Sequence, residues 1–318
     1  MHKDLLGKNF EYVSCNLCGG DQAKTLIRAK VNASDFEKEY RGPDMEFQIQ
    51  KCLRCGLIYL NPRLKASLAQ SFYTEHLQDM LEIHQNYFKS YLYKMYYKLT
   101  RKMPLIKKGA ILDIGCGSGR YLAFLRSLGW QVKGIEPDVA LYTIAKDFYG
   151  LDVFNGLIEE FQCPEEAFDV ITLFQTLEHV PSPKAVLSRC FDLLKRNGVL
   201  IIGNQPNFNS LDQMIFKAEN SALGIPYHLY HFDEATLAKL CKTIGFEIER
   251  VEYELFVPTQ LTYNFLNILA KRLKLHLSTS NKLLLCAVVF PLLLPIYSVM
   301  KWTKTSMTFA IHLRKRVD

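Results

Sequence analysis

From residue 110 onward the chain alternates short apolar runs with stretches of helical period. Ala110-Ile-Leu-Asp-Ile114 is a run of buried-strand type, and Tyr121, Leu122, Phe124, Leu125 and Leu128 then recur at helical spacing. Residues 131–136 predict a second strand, 139–148 a second helix and 151–154 a short third strand. Further on, 168–173 predicts a fourth strand, 183–195 a helix, 198–202 a fifth strand, 233–244 a helix and 246–253 another strand. Met307, Phe309, Ile311 and Leu313 alternate with Thr308, Ala310, His312 and Arg314, which is again a strand pattern. Strands alternating with helices predict an α/β fold, a doubly wound parallel sheet covered on both faces.

Ahead of that core, Phe88, Leu92, Met95, Leu99 and Met103 recur at threes and fours and predict helix within 68–103. The aromatics crowded there read as core, with a substrate-binding stripe as the alternative. The chain has 318 residues, 49% hydrophobic and 22% charged, which excludes a largely disordered protein. Its net charge of +7 is not spread evenly. Residues 261–318 hold nine Lys/Arg and one acid, whereas the rest carries 30 basic and 31 acidic groups. A near-neutral body lacks the basic face that a nucleic acid requires, so no nucleic-acid partner is expected. A basic, apolar tail suits a membrane surface. The first ten residues hold no export signal, so a cytoplasmic location with reduced thiols is expected.

Four cysteines form two matching knuckles, Cys15-Asn-Leu-Cys18-Gly and Cys52-Leu-Arg-Cys55-Gly. Two residues between thiolates let a tight turn aim both sulfurs at one ion, and the glycine that follows permits positive φ. Together Cys15, Cys18, Cys52 and Cys55 predict a closed, structural tetrahedral zinc site in a small module over 1–62. The alternative is four unrelated buried cysteines.

The first strand–helix turn reads Asp113-Ile-Gly115-Cys-Gly117-Ser-Gly119-Arg120. A dinucleotide fingerprint needs Gly or Ala where Arg120 stands, which disfavours a nicotinamide oxidoreductase. Glu136 closes the next strand, where a carboxylate can accept hydrogen bonds from both hydroxyls of a ribose.

With these stretches, Gly134-Ile-Glu-Pro137, Phe168-Asp-Val-Ile-Thr-Leu-Phe-Gln-Thr-Leu-Glu-His-Val180 and His228-Leu-Tyr-His-Phe232, the chain resembles the class I S-adenosylmethionine-dependent methyltransferases of the ubiquinone-biosynthesis and surface-glycan type. The resemblance implies a seven-stranded Rossmann-like sheet over 109–254, closed by an antiparallel last strand within 304–318, after a helical lead-in over 63–108. It places Gly115, Cys116, Gly117 and Gly119 against the methionine and ribose of the cofactor. Asp113 would lie near the methionine amino group, Glu136 and Pro137 at the ribose, and Phe174 and Gln175 towards the methyl-bearing end. Gly156 and Leu157 stand where such enzymes often carry an Asp for the adenine amine, so apolar and backbone contacts are expected there instead. The implied activity is methyl transfer to a small-molecule, sugar or lipid-linked acceptor. A catalytically inactive binding module is the alternative.

A hydroxyl or phenol acceptor needs a base within hydrogen-bond reach. His179, His228 and His231 follow the fourth and fifth strands and are the candidates, although each has a structural reading, ordering a loop or packing before the Asp233 N-cap. Residues 204–232 are longer than a βα loop needs, which suits a substrate lid or a packed excursion. If the last strand returns to the sheet, 255–303 is an insertion that leaves and re-enters on one side. Leu261, Phe265, Leu266, Leu269 and Leu273 sit beside Lys271, Arg272 and Lys274, and 283–300 carries no charge. As one helix that run would span roughly 27 Å, barely a bilayer core. Pro291 and Pro295 break it, which suits an in-plane, monotopic membrane contact; packing on protein is the alternative.

Overall fold

The computed structural model describes residues 10–31, 45–65, 108–253, 258–273 and 295–316. The helix expected within 68–103 and the run 283–294 lie outside these residues.

The N-terminal part is a small antiparallel sheet. Strands β2 (Ala23–Val31), β3 (Met45–Cys52) and β4 (Ile58–Leu60) lie in that order, and β1 (Phe10–Glu11) pairs with β5 (Arg63–Leu64). The alternation of β3 puts Met45, Phe47 and Ile49 on its buried face.

The main sheet holds β6 (Ala110–Ile114), β7 (Gln131–Glu136), β8 (Val153–Asn155), β9 (Phe168–Phe174), β10 (Leu194–Pro206), β11 (Phe246–Tyr253) and β12 (Thr308–Lys315). Their order is β11-β12-β10-β9-β6-β7-β8. β12 runs antiparallel to β10 and β11, and the other pairs are parallel. This is the seven-stranded, Rossmann-like arrangement with an antiparallel last strand that the chain's pattern and its resemblance implied. Helices α1 (Arg120–Ser127), α2 (Val139–Thr143), α3 (Pro183–Leu193), α4 (Leu211–Phe216) and α5 (Glu234–Ile244) connect the strands, and α6 (Pro258–Leu273) and α7 (295–302) belong to the insertion.

Successive residues feed opposite faces of the sheet, because strand side chains alternate. Ile111, Val170, Val199 and Ile201 pack with Tyr121, Leu125 and Trp130 on one side. Leu112, Ile171, Leu173, Leu200 and Ile202 pack on the other, in one continuous core with Phe47, Ile49, Leu57 and Leu60 of the N-terminal sheet. That sheet therefore has no separate interior. It covers one face of the main core.

Some boundaries differ from the sequence pattern. Helix 139–148 divides into α2 and a π turn over Ile144–Phe148, closed by Tyr149 N–H donating to the Ile144 carbonyl. The third strand starts two residues late, at Val153. β10 runs on to Pro206 because its far end pairs with β12, so 204–206 are strand and not the start of an excursion. Residues beyond them are tied down by amides. Asn207 Nδ2 donates to the Ser306 carbonyl at 2.8 Å, and Asn264 of α6 joins Asn220 and Ser221.

Candidate functional site

The chain moves outward from β6 to β7 and β8, then returns to place β9 on the other side of β6. The carboxyl ends of β6 and β9 thus form the switch point where open α/β sheets bind ligands. Here the 115–119 loop turns back over β7. Gly115 and Cys116 both donate backbone N–H to the Ile135 carbonyl, at 2.8 and 3.1 Å. A Cβ on Gly115 would meet Thr176 Oγ1 at 2.6 Å, so glycine lets the loop lie against the segment after β9. Gly117 has φ +55° and open space where a side chain would stand.

Glu136 organises this loop. Its Oε2 accepts from Gly117 N–H at 2.7 Å and its Oε1 from Asp138 N–H at 2.9 Å. The side chain is buried, and burial outweighs these two donors to push its carboxyl up to about 7. A carboxylate offers about four acceptor positions, so two remain for vicinal hydroxyls. The residues present therefore fit the ribose of S-adenosylmethionine.

The other cofactor candidates fall around Glu136 in different ways. Asp113 is buried, and its Oδ1 accepts from Thr172 Oγ1 at 2.6 Å, tying β6 to β9. Cys116 is buried with its thiol pushed far up by burial, which makes it a packing group and not a nucleophile. A Cβ on Gly119 would strike Leu151 and Ala145, so this glycine brings helix α1 close to its neighbours. Gly156 N–H donates to the Glu136 carbonyl, Asn155 Nδ2 donates to the carbonyls of Glu136 and Pro137, and Leu157 is exposed. Phe174 packs edge-on against Tyr121 at 5.3 Å, while Gln175 is exposed in the left-handed region at φ 53°. Such a φ in a residue with a side chain is a costly conformation typical of functional turns.

On the same edge, ligand atoms of Glu178, His179 and His228 lie within 4.8 Å of one another. His179 Nδ1 lies 3.2 Å from the Tyr227 carbonyl, and His228 Nδ1 lies 3.1 Å from that of Ala222. A carbonyl only accepts, so each Nδ1 carries the proton and each Nε2 the lone pair. Burial lowers His179 to about 4 and His228 to about 3, leaving both neutral at pH 7. Glu178 is fully buried beside Gln205, and burial pushes its carboxyl up to about 8. His231 does not join this group. Its backbone N–H donates to Ile58 and its ring lies against Phe208.

Sequence reasoning passed over Glu178, Thr172 and Thr176 as site residues. Glu178 stands in the Glu178-His-Val180 run, but it is buried where its carbonyl accepts from Leu229 and Tyr230 N–H, a pairing that no local pattern announces.

The cysteine knuckles are backbone copies of one another. Cys15 N–H donates to Gly20 and Gly19 N–H to Cys15; likewise Cys52 N–H donates to Leu57 and Gly56 N–H to Cys52. Gly19 and Gly56 take φ +70° and +84° to close these turns. Cys15 Sγ lies 3.4 Å from Cys55 Sγ, and Cys18 Sγ lies 3.5 Å from Cys52 Sγ. A tetrahedral ion with Zn–S bonds of about 2.3 Å sets its sulfurs about 3.8 Å apart, so the four thiols fit such an ion.

Comparisons with known proteins show the family and the fold. Residues 71–251, more than half of the chain, match the methyltransferase-domain family. A ubiquinone biosynthesis O-methyltransferase of Rhodopseudomonas palustris is 32% identical over 130 residues, 39% of this chain and 51% of that protein. One from Glaesserella parasuis is 28% identical over 170 residues, 49% of this chain and 71% of that protein. The matched part of the chain thus spans about half the length of the first relative. A solved S-adenosylmethionine-dependent methyltransferase from Thermotoga maritima, 18% identical, shares the fold with a TM-score of 0.50 over 76% of this chain and 98% of that one.

Replacing Glu136 by Ala removes the acceptors of Gly117 and Asp138 N–H and the two remaining acceptor positions. The expected result is S-adenosylmethionine binding weakened by about 1–3 kcal/mol, read by calorimetry with NAD as the control ligand. Unchanged affinity would mean that the cofactor ribose is held elsewhere.

Proposed function

This chain belongs to the methyltransferase-domain family, and from that premise we propose that it moves a methyl group from S-adenosylmethionine to a hydroxyl or phenol oxygen. The acceptor is a small molecule, a sugar or a lipid-linked compound presented at the cytoplasmic face of a membrane. The observation that carries the cofactor half is the buried Glu136 carboxylate, bridging Gly117 and Asp138 at the switch point. The names of the ubiquinone biosynthesis relatives, which are O-methyltransferases, support oxygen as the accepting atom.

Bound S-adenosylmethionine supplies an electrophilic methyl group. Glu136 and the 115–119 loop bind and orient the cofactor. The His179–His228 pair offers Nε2 lone pairs to the acceptor's hydroxyl proton. Imidazoles held this low accept a proton only beside a compensating negative charge, and ionised Glu178 is close enough to provide it. The four cysteines would hold a structural zinc ion, which takes no part in the chemistry because all four positions are filled by protein.

Exposed apolar side chains on both described parts of the insertion support the membrane surface. Phe265 of α6 and Ile296, Val299 and Trp302 of α7 are exposed, Trp302 by 84%, with Arg272, Lys301 and Lys304 nearby in sequence. Large apolar groups so exposed beside cations suit an anionic interface. Among the described residues, no helix is long and apolar enough to cross a membrane.

Both histidines are already neutral well below pH 6, so the acid limb of kcat/KM belongs to the carboxyls. Glu136 and Glu178 act as anions, and protonation through about 7 and about 8 removes activity as pH falls. The expected profile loses rate below these values, and His179→Ala and His228→Ala each lower kcat by about 10²–10⁴-fold. A flat profile down to about pH 5, or full activity in both variants, contradicts the assignment. For the surface, Val299→Glu with Trp302→Glu should reduce co-sedimentation with anionic vesicles about tenfold, with weaker binding of the parent chain at high salt. Equal binding by parent and variant removes α7 from the contact.

A further inference from the structure

The two cysteine knuckles grip the same two segments that carry Glu178, His179 and His228. Asn16 lies inside the first knuckle, between Cys15 and Cys18. Its Nδ2 donates to Ser182 Oγ at 3.1 Å and its Oδ1 accepts from Lys184 N–H at 3.0 Å. Ser182 is the N-cap of α3, and Lys184 N–H is one of the donors that a helix start leaves without an internal partner. The knuckle thus completes the cap of the helix that follows His179. Arg63 Nη1 adds a bond to the Pro181 carbonyl at 3.0 Å.

The second knuckle runs straight into β4, and β4 holds the other segment. Leu60 N–H donates to Leu229 and His231 N–H to Ile58, both at 2.9 Å, around a Tyr59–Tyr230 bridge. Leu229 and Tyr230 then donate their N–H groups to the Glu178 carbonyl at 2.7 and 3.2 Å. Two paths therefore start at the cysteines and close on either side of Glu178 and His179. Among the described residues, the hydrogen bonds of Gly115, Gly117 and Glu136 come from the main sheet and its turns, not from the knuckles.

We propose that the four-cysteine site is a positioning device for the acceptor half of the active site, with Asn16 as its positioning residue. A tetrahedral ion on Cys15, Cys18, Cys52 and Cys55 locks one knuckle to the other, because each close sulfur pair joins the two. Locking them fixes the 178–184 segment through Asn16 and the 228–231 segment through β4. Among the described residues, the cofactor loop makes no hydrogen bond to the knuckles and meets the braced segment only through the Gly115–Thr176 approach. The catalytic consequence rests on the reading of His179 and His228 as the acceptor site, whereas the structural coupling does not.

The test is hydrogen exchange on the full chain loaded with zinc, together with calorimetric S-adenosylmethionine affinity. Asn16→Ala should retain one zinc ion per chain and raise amide exchange over 182–186 about fivefold, the worth of a helix cap. Its cofactor affinity should stay within about twofold, because the cap lies outside the Glu136 loop. Asn16→Asp keeps an acceptor for Lys184 N–H and should restore protection. Removing zinc with a chelator should speed exchange in both 178–184 and 228–231. Protection in these segments that is indifferent to zinc and to Asn16 overturns the proposal. So does a loss of cofactor affinity equal to the loss of protection, since that marks general unfolding. Failure of the methyl-transfer reading leaves the exchange result standing, so the two outcomes are separable.

Discussion

A carboxylate buried at the end of a strand must be met by donors, and Glu136 meets that requirement with the backbone. Gly117 and Asp138 come to it from opposite sides, so the loop after β6 and the turn after β7 are shaped around one side chain. The open positive-φ backbone at Gly117 follows from this demand, and the close approach at Gly115 to Thr176 brings in the segment after β9. Partial satisfaction is useful here. The carboxyl is raised to about 7 because two donors do not replace full hydration, and a ligand with two hydroxyls completes the set.

The other side of the site is built differently. Glu178, His179 and His228 are brought together from two segments about fifty residues apart, each braced by the N-terminal sheet. In the proposed reading, the cofactor half relies on local strand–turn geometry, and the acceptor half on long-range packing. That division fits a family fold in which a shared cofactor site meets varied acceptors: the shared part lies within the sheet, and the individual part is supplied by what docks on it.

The same division explains what could be read from the chain. Strand periods, the loop at 115–119, Glu136 and the doubled cysteine knuckles are written in short windows, where local physics decides. The N-cap at Asp233 was legible too, and its carboxylate accepts from Thr236 N–H in a capping box. The sharing of one core by the two sheets was not legible, because a buried face does not name its partner. Neither was the Asn16 cap, whose partners lie 166 and 168 positions away. Glu178 carries the same lesson. A glutamate beside a histidine looks like an exposed loop residue until Leu229 and Tyr230 bond to its carbonyl and it is buried.

Glu136 is a half-satisfied carboxyl that a ligand's hydroxyl donors would complete, and counting protons on binding puts this to the test. S-adenosylmethionine should be titrated into the full chain near pH 7 in buffers of different ionisation enthalpy. Ribose hydroxyls favour the ionised carboxyl, so binding lowers its pKa from about 7 and releases a fraction of a proton to the buffer. This release should appear in the wild type and disappear in Glu136→Gln. Binding with no proton release, or release that persists in the variant, would contradict it.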